Sequence, residues 1–148
     1  MEKHANLLAL CARFFLCMSM FWNAGFTIAV WNVQVAMLTP LTQSFTEPML
    51  ASMTAADFVL GTAILIGYMS RHMACVAAVY SFSSACVMHS FWTSSPSMVP
   101  SDSMHFFQSV GVAGGFLLLA AFGPGQFSVD EKLKEPAATA EPKVETKV

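Results

Sequence analysis

Residues 14–129 carry only four formal charges: Glu47, Asp57, Arg71 and Asp102. An ordinary soluble domain has roughly a quarter of its residues charged. A chain this poor in charge cannot cover itself with a water-facing surface. It belongs in hydrocarbon, and its apolar runs of about twenty residues read as transmembrane helices. The most complete run spans 49–69 and contains one charge, Asp57. An acid within a span is costly unless it faces protein or water. Gly61 follows one turn later on the same face, where a missing side chain lets another helix approach. Asp57 is therefore expected to point inward.

Four spans are expected, at 7–31, 49–69, 73–92 and 104–122. They make an all-α integral membrane four-helix bundle that fills one domain, 1–131. The first run is too long for the core of a signal peptide and Arg13 interrupts it, so it is read as a retained helix. Residues 32–48 read as a linker broken by Pro40 and Pro48, with room for a short interfacial helix. Trp31 and Phe45 suit its headgroup level. Ser70, Arg71 and His72 are expected to form a tight turn. Pro96 and Pro100 mark the loop at 93–103, and Gly123-Pro124-Gly125 stops the last helix. The tail at 132–148 mixes Lys, Glu, Pro, Ala and Thr and is expected to be disordered.

Lys3, Arg71, Lys132, Lys134, Lys143 and Lys147 fall on one side of this arrangement, and the two opposite loops hold no Lys or Arg. The positive-inside rule then places both termini in the cytoplasm. A bacterial inner membrane is the expected location. No basic patch exists for nucleic acid. Cys11, Cys17, Cys75 and Cys86 lie in apolar runs at spacings that fit neither zinc nor haem. They read as small packing residues, and the eleven methionines as bundle filler.

Counting about 1.5 Å per residue puts Asp57 roughly 12 Å below the outer surface. Asn23 falls at a similar depth. His89, His105 and Gln108 come near the outer ends of their helices. The candidate site is thus a polar cluster of Asn23, Asp57, His89, His105 and Gln108, drawn from four helices in the outer half. Asp57 in it is either a proton-exchanging acid or a structural one held by hydrogen bonds. Arg13 and Arg71 lie toward the cytoplasm, and Arg13 is expected to snorkel to headgroups. Gln108, Gly111 and Gly115 share one stripe, and Gly111 and Gly115 form a Gly-x-x-x-Gly, so that stripe is expected to pack closely, as is Gly61.

These residues resemble the DoxX family of small four-helix membrane proteins over 12–130. The resemblance rests on Arg13, Ala24-Gly25, Asp57 followed by Gly61 and Gly67, Arg71, His89, Gly114-Gly115 and the closing GPGQFSVD at 123–130. Two departures are Asp57 where that family usually has Glu, and Gln108-Ser109 where it usually has Lys-Asn. The resemblance implies a membrane subunit of a redox system. Its polar cluster would contact a quinone or relay protons, and the redox cofactor would sit on a partner subunit. The alternative is a non-catalytic accessory or scaffold protein of a membrane complex. Lipid, other membrane subunits or a second copy are the expected partners.

Overall fold

The computed structural model describes residues 2–138. Six helices follow one another: α1 (Glu2–Ala29), α2 (Trp31–Thr42), α3 (Thr46–Ile66), α4 (Ser70–Met88), α5 (Val99–Phe122) and α6 (Val129–Ala138). A 3-10 turn, Gln43–Phe45, joins α2 to α3. No strand occurs among the described residues. Three stretches are long and apolar enough to cross a membrane: Asn6–Ala29, Gln43–Ile66 and Val99–Phe122. The third expected span, 73–92, is α4. It is helical but stops at Met88, and its Ser, Arg and His content keeps it out of that group.

The helices depart from the expected boundaries mainly at prolines. Residues 32–42, read as linker, are helical in α2, and Pro40 sits inside that helix, close to its end. Pro48 and Pro100 lie in the first turns of α3 and α5. First-turn N–H groups have no intrahelical partner, so proline costs nothing there. α3 and α5 therefore start earlier than 49 and 104. Only Val30 separates α1 from α2, with φ −114° and ψ 28°. The turn expected at Ser70, Arg71 and His72 lies at 67–69 instead, and Ser70 opens α4. Of the tail expected to be disordered, 132–138 is part of α6, and 139–148 lies outside the described residues.

Packing is pairwise. α1 lies along α3, α5 lies along α4, and α1 meets α5 only sparsely. Cys17 and Met20 of α1, Leu60 and Ile64 of α3, and Phe116 and Leu119 of α5 are buried together at the centre. In lipid no hydrophobic force drives helices together, so close backbone approach must supply the attraction. α4 provides it with a buried stripe of small residues, Ala74, Ala77, Ala78, Ser81 and Ala85. The close stripe expected on α5 is only half present. A Cβ at Gly115 would stand 2.8 Å from Leu16 Cδ2, whereas one at Gly111 would meet nothing within 4 Å. Gln108 is exposed on the same face. Gly61 does pack closely, with the Phe21 ring 3.2 Å from its would-be Cβ.

At one end of the bundle the chain closes on itself. Gly67 caps α3 in the left-handed region at φ 80°. Gly67 N donates to Ile64 O at 3.2 Å and Tyr68 N to Ala63 O at 2.9 Å, which satisfies the last carbonyls of the helix. The segment after α5 then folds over this turn. Asp130 N donates to Gly67 O at 3.0 Å. The Asp130 carboxylate accepts from Met69 N and Ser70 N, each at 2.7 Å. It caps α4 from sixty residues away and favours the positive end of that helix. It also steadies Met69, which has a left-handed φ of 46° without being glycine. Beneath the clasp lies Arg13, 0% exposed, donating through Nη2 to the carbonyl of Phe127 and facing Asp130 electrostatically. Arg13 does not snorkel, because its headgroup-like partners are carried by the chain itself.

Two predictions follow from glycine positions. A Cβ at Gly67 would stand 2.5 Å from both Arg13 Nη1 and Ser128 Cβ. Gly67→Ala should lose about 1–2 kcal/mol to the left-handed backbone alone, and more to these contacts. Gly114→Ala, with nothing within 4 Å of its new methyl, should stay within about 0.5 kcal/mol of the parent. Thermal unfolding in mild detergent reads both, and equal midpoints would mean the clasp is not closed. Similarly, Gly115→Leu should cost about 1–3 kcal/mol by overpacking, while Gly111→Leu is tolerated. A larger loss at Gly111 in the same assay would reverse the assignment of the packed glycine.

Candidate functional site

The sparse contact between α1 and α5 leaves a cleft of about 760 Å³ between them. Leu16 against Gly115 closes it toward the clasp end. α3 and α4 form its floor, and α2 reaches it with Gln34. All five residues of the expected polar cluster line it: Asn23 from α1, Asp57 from α3, His89 at the end of α4, and His105 and Gln108 from α5. The apolar remainder of the wall includes Phe15, Trp22, Phe26 and Met53.

Asp57 is the anchor of the polar wall. It is 3% exposed and is the twelfth of the 21 residues of α3, so it lies at mid-helix. That is deeper than the expected count, since α3 begins before residue 49. Asn23 Nδ2 donates to Asp57 Oδ2 at 2.7 Å. The Tyr80 hydroxyl, which donates to Met53 O at 3.0 Å, also interacts with the Asp57 carboxyl. The buried carboxyl thus has a hydrogen-bond donor from α1, as a buried polar group requires, and the Tyr80 bond to Met53 O ties α4 to α3 beside it. The same bonds fix where α1 and α4 stand relative to α3.

The mouth of the cleft has a different composition. The His89 and His105 rings lie 5.2 Å apart, tilted by 31°. His89 also faces Asp102, whose carboxylate accepts from the Ser94 hydroxyl. Phe91, Trp92, Phe106 and Phe107 cluster edge to face beside this pair. No group of three or more metal-ligating side chains occurs among the described residues. Arg13 and Arg71 are absent from the cleft. Arg13 is under the clasp, and the exposed Arg71 lays its guanidinium against Gly123, where a Cβ would be 3.2 Å away.

Sequence reasoning passed over several lining residues. Gln34 was hidden because its segment read as linker. Ser81 and Ser84 of α4 read only as hydroxyls able to bond neighbouring helices or their own carbonyls, and Tyr80, outside the lining, had no charge to mark it. Tyr80 could have been found as the tyrosine that α4 presents at the level of Asp57. Gln34 Oε1 is buried without a hydrogen-bond partner among the described residues.

The model of the SURF4 family matches residues 35–135. The chain is 36% identical over 87 residues to "Inner membrane protein YphA" of Escherichia coli (strain K12), covering 57% of this chain and 62% of that protein. It is 33% identical over 87 residues to "Inner membrane protein YqjF" of the same organism, covering 59% and 63%. It is 36% identical over 78 residues to "Surfeit locus protein 4 homolog" of Schizosaccharomyces pombe, covering 48% of this chain and 24% of that protein. The chain thus spans under two thirds of the length of each of these three relatives. No solved structure matches it. The resemblance to the DoxX family is overturned by these matches, and the redox role it implied loses that footing. Its motifs were short, and Gly67, Asp130 and Gly61 serve capping and packing needs that any compact helical bundle shares. With three span-capable helices and relatives named for the inner membrane, the protein is integral to the inner membrane. The chain belongs to the SURF4 family.

Proposed function

We propose that the cleft holds the head group of a membrane amphiphile, with a quinone-sized ring as the fitting class, and that Asp57 exchanges protons with it. The observation that carries this reading is the buried Asp57–Asn23 pair, joined at 2.7 Å in the wall of an otherwise largely apolar cleft. Ligand pockets are typically about 300–1,000 Å³, mostly apolar, with a few convergent polar groups, and this cleft has that make-up. An intramembrane acid that faces a cavity is the residue type that proton relays use.

The reading includes four membrane crossings with both termini in the cytoplasm. α4 has 19 residues, so at about 1.5 Å each it matches a hydrocarbon core of about 30 Å. It starts at the clasp and ends beside His105, in the second turn of α5. The absence of Lys and Arg from 93–103, against Arg71 and Lys132 at the clasp end, supports the orientation. The cleft then opens in the outer half.

Three outcomes are expected. In a cysteine-free background, Ser97→Cys should react with an impermeant thiol reagent in spheroplasts and Lys132→Cys should not. The opposite pattern would overturn the topology. Protein purified in mild detergent should release about one amphiphile per chain on solvent extraction, consistent with a single cleft. Ser84→Trp, which fills the cleft, should release almost none. A bare parent protein, or a Ser84→Trp variant that keeps its amphiphile, would sink the binding role. Asp57→Asn keeps shape and most hydrogen bonding but removes the titratable proton. It should unfold at the parent's temperature and still bind, while quinol-dependent electron flux in membrane vesicles falls. Unchanged flux with a lowered midpoint would favour the accessory, non-catalytic role.

A further inference from the structure

Hydrogen bonding does not sort ligands in this cleft, because its wall offers donors, such as the Trp22 indole and the Gln108 amide, as well as acceptors. Charge does. From it we infer that the head group the cleft takes best is a cation of aromatic size, an ammonium or pyridinium borne on an apolar chain. This inference rests on the proposed binding role of the same cleft and adds the charge it selects. Among the described residues that line the cleft, Asp57 is the one Asp, Glu, Lys or Arg. The other titratable groups there are His89 and His105, at the mouth. Arg13, the cation of α1, is held under the clasp and is not part of the lining. An acid at mid-helix in an apolar span, with no cation of the chain in its cavity, is stabilised by a cation that enters from outside.

The second observation is the wall that α1 presents. Phe15, Trp22 and Phe26 stand at spacings of seven and four residues, so they share one face of the helix. All three line the cleft, and each is more than half exposed, which leaves ring surface free for a ligand. Asn23, whose amide donates to Asp57 at 2.7 Å, is the neighbour of Trp22 in the chain, so the acid lies at the level of Trp22 along α1. The face of an aromatic ring is its negative side and attracts a cation, the more so away from water. A neutral ring of the same shape gains the contact area but neither that attraction nor the pull of Asp57. An anion is repelled by both. A quaternary or ring nitrogen also needs no hydrogen bond, so the mixed donors and acceptors of the wall neither favour nor reject it.

Equilibrium dialysis with the full chain in maltoside micelles, against protein-free micelles, tests this at about pH 8, above the ordinary titration range of imidazole. Dodecylpyridinium and dodecylbenzene have nearly the same shape and differ by one charge. The pyridinium should bind at least about tenfold more tightly, through the acid and the ring faces together. Trp22→Leu should weaken pyridinium binding by roughly threefold or more, the effect of one lost cation–ring contact, and leave dodecylbenzene within about twofold of the parent. Asp57→Asn should bring the two probes to within about threefold of each other. If that variant does not fold, the Trp22→Leu result decides. Dodecylphosphocholine separates the sources of the cation. Binding as tight as that of the pyridinium assigns a choline-type lipid head group, and weaker binding assigns a free cationic amphiphile. Equal binding of pyridinium and benzene by the parent, or pyridinium binding that Trp22→Leu leaves unchanged, overturns the inference and leaves the cleft a binding site. No excess binding of any of the three probes overturns both.

Discussion

Arg13 holds its guanidinium inside the bundle, where an unpaired charge would cost several kcal/mol. It is fully buried, so water and headgroups are out of reach and the chain must furnish its partners. They come from the segment after α5, through the Phe127 carbonyl and the field of Asp130. That segment in turn needs a glycine beneath it, and Gly67 is the residue that ends α3. The start of α1, the turn between α3 and α4 and the exit of α5 are thereby tied at one end. Gln126 N, donating to Asn6 Oδ1 at 3.2 Å, extends the tie to the first turns of α1.

Tying one end leaves the other free to diverge. α5 is drawn onto α4 by the alanine stripe, and α1 follows α3 through Phe21 on Gly61. Among the described residues the closest approach of α1 to α5 at a glycine is Leu16 on Gly115. The cleft is the space those two helix pairs leave between them. Asp57 is then placed where its bond from Asn23 joins α1 to α3, one turn from Met53, whose carbonyl takes the Tyr80 hydroxyl of α4. The same carboxyl that keeps the walls apart at a set distance is the most buried polar group in the wall.

The polar cluster was legible in the sequence because hydrocarbon makes polar residues rare. When few exist, counting residues from each helix end brings them to one level, and Asn23, Asp57, His89, His105 and Gln108 do line one cavity. The helices themselves were legible for the same reason. Pro40, Pro48 and Pro100 misled because proline is harmless in a first turn and tolerable near a last one, and composition does not show where a turn begins. Gly111 misled because a Gly-x-x-x-Gly spacing marks a face without naming what lies opposite. Arg13 misled because its partners, 114 residues away, belong to a segment that looked like an exit from the fold. The family was misread on short motifs whose residues do capping and packing work, which many unrelated bundles require.

The separation of 114 residues between Arg13 and Phe127 also sets an order of events during synthesis. α1 emerges first and must wait in the insertion machinery or the bilayer with its cation unanswered. Contacts this distant in sequence form late, after the loops between them have closed. Until residue 127 has been made and folded back, α1 can pack on α3 through Phe21 and Gly61, but Arg13 lacks the Phe127 carbonyl. The contact that satisfies the buried cation is therefore made only after α5 is in place, late in the closing of the bundle.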